Sequence, residues 1–429
     1  MPTEAMTGCA ADARTRDASQ TALRSRMAAL RRGAWIVAVL VAGTACRSKS
    51  ACDIRDPACQ RDIFYSVLDA RGQAWDAWAN PPPMEVMTKD QFRAFLEASA
   101  ASSQGSDSAE PSWDPVYKLL GFLDRDASSA ETSIDSQVEG VVAFYSRTTR
   151  SVTIIDRGMP SDEESSSMTL AHEIVHALQD RDVGLSLYVG SGLTSDELMA
   201  RRSMVEGEAT LYGLMVNLGM RELAFQDVNW AGYFESFRDT VDESVASSAG
   251  RLGEARRLLP YVAGAHYLEQ AYARGGTPEV EFAFLAKPPS LSAVVDSYDA
   301  PVPVRAPLSC GGPPPPGGYE QVGSSRLGAA GLYAFAIKNL RDGRAWDLMR
   351  AWSDDTLRFY QSPEGATAVS WTVRLNGKRG FNDYFSTLQN VAAGLGARSQ
   401  ARLTELEIVI GAAEQPLVLS DWDLGACGE

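Results

Sequence analysis

His172 and His176 stand four residues apart, with Glu173 beside the first, in the stretch TLAHEIVHALQD. On an α-helix that offset puts both imidazoles on one face at neighbouring turns, within reach of a single ion. Glu173 is turned aside from the pair, badly placed to ligate but well placed to take a proton from a water on that ion. Zinc suits such donors, and when bound it draws the pKa of a water down toward ~7. Leu170, Ile174, Val175 and Leu178 flank the polar residues with apolar side chains, so the segment reads as a buried helix. A catalytic zinc takes three protein ligands and keeps one open position, which requires a donor from elsewhere. The stretch VEGEAT offers Glu206 and Glu208, and Glu206 lies 30 residues beyond His176, enough for one helix to end and a second to face it. Residues two apart on a helix point about 200° apart, so only one of these acids can face the ion.

HExxH followed by a glutamate on a downstream helix resembles the gluzincins, some of which carry that glutamate in an E-G-x-A setting, as in Glu206, Gly207 and Ala209. The pattern is also similar to a broader set of exported bacterial HExxH proteins. Their order is a V-x-G-F-Y-like strand (here VVAFY), HExxHALQD, an EG-acid-A helix, a Y-x-x-G helix (Tyr261 to Gly264) and a P-P-S turn (Pro288 to Ser290). The match covers about 135–295 well and the C-terminal part loosely. It implies a zincin-like fold, hydrolysis of peptide bonds in a peptide or protein substrate, and Zn2+ held by His172, His176 and Glu206. Glu208 is then the reserve ligand or a support behind it. Two departures stand out: the longer spacing to the glutamate, and Thr210 where some gluzincins carry an aspartate that orients a histidine. Asp180, one turn past His176, is the alternative support, or else a surface acid. Tyr261 and His266 are the candidates to donate to the oxyanion of the attacked carbonyl. By the same resemblance, Val152, Thr153, Ile154 and Ile155 form the sheet edge along which substrate lies, unless that strand is paired on both sides.

The elements that must position these groups follow from pattern. Ile63, Val67, Trp75 and Trp78 mark a helix over 61–80 that ends at Pro81–Pro83, and a second helix covers Lys89 to Ala98. VEGVVAFY and SVTIID, joined by a turn at Ser146 to Arg150, read as a hairpin. The acidic, serine-rich Ser161–Ser167 supplies cap candidates for a helix from near Met168. Thr194 and Glu197 form a capping box that opens a long helix running to about Leu218. Helices fill 230–275. Beyond GGPPPPGG at 311–318 come a helix (Gly328 to Trp352), a hairpin (Thr356–Tyr360 with Ala368–Leu375), a helix (Phe381 to Leu395), and strands at Leu406–Ile410 and Leu417–Leu419. The expected fold class is α+β. A zincin-like domain spans 61–305, a Pro/Gly linker 306–320, and a small α+β subdomain 321–429.

The N-terminus reads as an export signal. Four arginines, from Arg24 to Arg32, precede the apolar run AWIVAVLVA, too short for a mature membrane span, and Gly43, Thr44 and Ala45 lead to Cys46. Small residues before a cysteine resemble the bacterial lipobox. The expectation for 1–45 is a lipoprotein signal with Cys46 lipidated and 46–60 a tether, ahead of a plain cleaved signal or an uncleaved anchor. That places the protein on the extracytoplasmic face, attached to the membrane. Of the later cysteines, spacing favours Cys52 with Cys59, leaving Cys310 with Cys427. The net charge is −15 overall, and the +3 of the first 45 residues leaves −18 on the remainder. So acidic a surface argues against nucleic acid as a partner. The competing reading is a catalytically silent envelope protein that keeps the fold for binding, with an accidental motif in a structural lipoprotein as a third.

Overall fold

The computed structural model describes residues 52–74, 80–104, 112–158, 163–301, 305–340 and 343–427. The export segment, Cys46, Trp75 and Trp78 lie outside them. Helices are joined to two small sheets, an α+β architecture. No helix among the described residues is long and apolar enough to cross a membrane.

The first helix, Pro57–Ala70, begins inside the segment expected to be a tether. Asp56 caps it by accepting from the Ala58 amide, and Pro57 sits where a missing N–H costs nothing. It stops ten residues before the proline run because Gly72 adopts a left-handed conformation (φ 62°). Cys52 is bonded to Cys59 and Cys310 to Cys427, with Cα atoms 5.7 and 5.8 Å apart, as spacing favoured. Both bridges suit an oxidising compartment.

A strand without an anticipated counterpart, β1 (Met84–Thr88), pairs in parallel with β3 (Ser151–Asp156). On its other side β3 pairs antiparallel with β2 (Ala143–Ser146). The expectation that Val152 to Ile155 form an open edge is therefore overturned. β3 is the central strand of three, and Ser151 through Ile155 are all buried. Among the described residues the edge strands of this sheet are β1 and β2.

Three long helices carry the candidate chemistry. The histidine helix runs Glu163–Val183, starting earlier than Met168 and absorbing the serine run. The glutamate helix runs Ser195–Met220, opened by the expected Thr194–Glu197 capping box. The tyrosine helix runs Arg251–Gly275 and carries Pro260 inside it. Glycines let their backbones touch. A Cβ on Gly264 would lie 1.6 Å from the Ser203 carbonyl oxygen, and one on Gly207 would lie 2.2 Å from the Gly264 carbonyl carbon. Gly213 likewise faces the Met168 carbonyl, 3.2 Å from where its Cβ would stand. The glutamate helix is thus pressed between the other two.

The C-terminal sheet is antiparallel, in the order β4 (Glu320–Ser325), β5 (Trp352–Gln361), β6 (Thr367–Leu375), β8 (Glu407–Ala413), β7 (Arg398–Arg402). The expected hairpin is β5–β6. The expected helix over Gly328–Trp352 is two, Gly328–Ala336 and Arg344–Ala351, the second beginning after Gly343 with its φ of 76°. The segment read as a strand at Leu417–Leu419 is a short helix, Pro416–Asp421, whose N-terminal proline presets the helical φ. The Pro/Gly stretch packs onto this sheet. Tyr360 Oη donates to the Pro313 carbonyl at 3.1 Å and Trp422 Nε1 to that of Pro314 at 2.8 Å. One apolar core runs from Phe64 through Leu170, Leu211 and Leu259 to Leu332 and Trp371.

Candidate metal centre

The two histidine rings project from one face of their helix, 4.6 Å apart between centroids and at 89° to each other. Glu206 comes in from the glutamate helix, its Oε2 lying 3.2 Å from His172 Nε2 and 3.3 Å from His176 Nε2. A tetrahedral zinc with bonds of 2.0–2.1 Å has donor–donor edges of about 3.3 Å. The spacing of Glu206 from both rings is that of ligands sharing one such ion, so this donor set fits zinc. His172, Glu173 and His176 also bring ligand atoms within 4.8 Å of one another, a group that can hold a metal ion.

Glu173 is buried, and its Oε2 accepts from the Tyr145 amide at 2.8 Å. That amide belongs to β2 and points away from β3, so the strand edge and the carboxylate are fixed to each other. Burial pushes the Glu173 carboxyl above its ordinary value, against the pull of both histidines. Burial would raise Glu206 as well, but the charge and hydrogen bonds of the two imidazoles hold it well below the usual carboxylate range. Burial opposes the charge on His176, yet Glu206 lifts that imidazole to about 9. Glu206 thus holds the proton on His176, and a divalent cation bound there would take that proton's place against the same carboxylate.

Tyr261 stacks on His172, ring centroids 5.5 Å apart and planes at 17°. Burial and the nearby carboxylates Glu206 and Glu173 raise its pKa well above the ordinary value, so at neutral pH it keeps its proton and can donate. The Y-x-x-G spacing has a physical meaning here. Gly264, one turn after Tyr261, meets Gly207, the residue after Glu206, and this contact sets the tyrosine beside the two histidines and Glu206.

Other expected site residues stand elsewhere. His266 packs on Phe234 at 4.8 Å and its Nε2 faces the Gln270 amide nitrogen at 3.2 Å. Burial, reinforced by Arg238 and Arg350, lowers its pKa to about 4, so at neutral pH it is an uncharged ring packed on Phe234. Asp180 does not touch the histidines. It accepts from Tyr145 Oη at 3.0 Å and from the Leu185 amide at 2.9 Å, tying β2 to the end of the histidine helix. The partner of His176 is Gln179, whose Oε1 lies 2.8 Å from His176 Nδ1. Glu208 points away from the rings and accepts from Gln179 Nε2 at 2.8 Å. Gln179 stands three residues after His176, where helical spacing puts it on the same face. The Tyr145 amide is a backbone group and carries no side-chain signal.

Comparison with models of known protein families, with curated proteins and with solved structures gave no match.

Proposed function

We propose that this chain is a zinc-dependent peptidase with a zincin-like catalytic region, acting on the extracytoplasmic side of a membrane to which its N-terminus is anchored. The observation that carries the reading is Glu206 Oε2, from a second helix, lying 3.2 Å from His172 Nε2 and 3.3 Å from His176 Nε2, the edge length of a tetrahedral zinc site. Bound zinc would supply a Lewis acid and bring a water near its working pKa.

The chain's own residues have separable roles. Glu173, held by the Tyr145 amide and raised by burial, accepts the water's proton and returns it to the leaving amine. Tyr261, protonated and beside His172, donates to the oxyanion that develops on the attacked carbonyl. β2, an edge of the three-stranded sheet, abuts the histidine helix and fixes Glu173 in place through the Tyr145 amide. The acidic surface and the two disulfides accord with an exported protein.

The test is metal analysis and hydrolysis on purified protein. The parent should hold about one zinc per chain. His172→Ala should lose it, while Glu173→Gln should keep zinc and lose cleavage of a mixed peptide library. Cleavage that survives Glu173→Gln sinks the mechanism. Zinc without any cleavage by the parent favours the silent binding protein.

A further inference from the structure

Behind His176 runs a chain of buried polar groups that crosses three elements. Gln179 Oε1 meets His176 Nδ1 at 2.8 Å. Gln179 Nε2 donates to the Val205 carbonyl at 2.9 Å and to Glu208 Oε2 at 2.8 Å. Glu208 Oε1 accepts from Arg71 Nη2 at 2.8 Å. Arg71 caps the C-terminus of the first helix, far from the histidines in sequence.

The polarity of this chain allows one arrangement. Arginine only donates and an ionised carboxylate only accepts, so Glu208 must receive from both Arg71 and Gln179. Gln179 therefore turns its nitrogen toward Glu208 and Val205, two acceptors, and its oxygen toward the imidazole. His176 Nδ1 must carry a proton, so Nε2, the nitrogen that faces Glu206, is the one that would give up its proton to ligate a metal ion. A rotated amide would set the Gln179 oxygen against two acceptors, the Val205 carbonyl and Glu208, in a buried space. Glu208 and Arg71 are only 5% and 11% exposed at their side chains, so solvent does little to relieve a mispairing.

We propose that Arg71, through Glu208 and Gln179, is a positioning residue for the metal ligand His176, making the first helix part of the metal centre. The inference rests on the zinc reading above and goes further, because it assigns the ligand's tautomer and orientation to a residue outside both metal-bearing helices. Arg71 also reaches Asp182 on the histidine helix at 3.2 Å and lies 5.8 Å from the centre of the Tyr212 ring. These contacts supply the control: weakening the Asp182 pair loosens the same helix packing and leaves the chain to His176 intact.

The experiment is zinc affinity of the full chain, by competition with a chromophoric chelator, alongside thermal unfolding of the metal-free protein. Loss of groups that orient a ligand histidine costs about 10–100-fold in metal affinity. Gln179→Met is expected in that range and Arg71→Met at its low end, about tenfold. Arg71→Met leaves Glu208 buried without its cation and lowers the unfolding temperature. The double variant Arg71→Met with Glu208→Met removes both charges, regains thermal stability and still binds zinc about tenfold more weakly. Asp182→Asn should leave the affinity unchanged. Parent-like affinity in Gln179→Met and in the double variant overturns the proposal. So does Asp182→Asn weakening zinc as much as Arg71→Met, since Arg71 would then act through helix packing. A parent chain that takes up no zinc overturns the metal reading itself, a separate result.

Discussion

Gly264→Ala tests whether the helix crossing builds the site. The added methyl would lie 1.6 Å from the Ser203 carbonyl oxygen, 2.5 Å from its carbon and 2.9 Å from Gly207 Cα. All three are backbone atoms of the glutamate helix, so no rotamer change relieves the clash and the helices must part by more than about 1 Å. Overpacking of this kind costs about 1–3 kcal/mol and sometimes more, while alanine's better helix propensity returns at most about 1 kcal/mol. The expected net loss is about 2 kcal/mol, read as a lower urea midpoint at unchanged slope. Function should suffer beyond stability. Tyr261 lies one turn from the contact on one helix and Glu206 beside it on the other, and a misplacement of about 1 Å can cost about 100-fold in rate. Peptide hydrolysis should therefore fall by about that factor under conditions where the variant stays folded. Gly253→Ala on the same helix is the internal control, being exposed with no atom within 4 Å of the added carbon. It should stabilise by about 0.5–1 kcal/mol. If the two variants prove equally stable, close backbone contact is not what glycine supplies at 264, and the account of the Y-x-x-G spacing fails.

Three further outcomes are expected. Zinc at 100 times its Kd should raise the stability of the parent by about 2.7 kcal/mol, and a chelator should reverse this in thermal unfolding, with no response from His172→Ala. His266 titrates near 4 in the fold against an ordinary 6.5, so its contribution is complete above pH 6.5 and is lost as pH falls through 4. The full loss is about 3 kcal/mol, and His266→Gln should flatten the stability profile over that window. Asp196 accepts from the Leu291 and Ala329 amides and pairs with Arg305 in a buried setting. Asp196→Ala should cost about 3–5 kcal/mol in urea unfolding, and a loss under about 1 kcal/mol would refute its role as a clamp.

Local relations were legible in the sequence. The i,i+4 offset of His172 and His176 fixes their common face on any helix, the Thr194–Glu197 box depends on four consecutive residues, and the β5–β6 hairpin follows from alternation and a short turn. The glutamate was narrowed to two candidates by residue type and spacing, and Glu206 is the one that meets both rings.

The tertiary structure decided everything that depends on what packs from a distance. β3 reads as an edge only if nothing pairs on its far side, and its partner β1 lies far earlier in the chain, with a pattern too short to register. Asp180 and Gln179 are adjacent on one helix, and the direction in which Tyr145 and Glu208 approach determines which of them serves His176. The sequence by itself determined which groups share a helical face, because that geometry is set by the backbone within a turn or two. Which of those groups meet a partner across helices, as Gly207 meets Gly264 and Arg71 meets Glu208, was settled only by side-chain volume and charge in the assembled core.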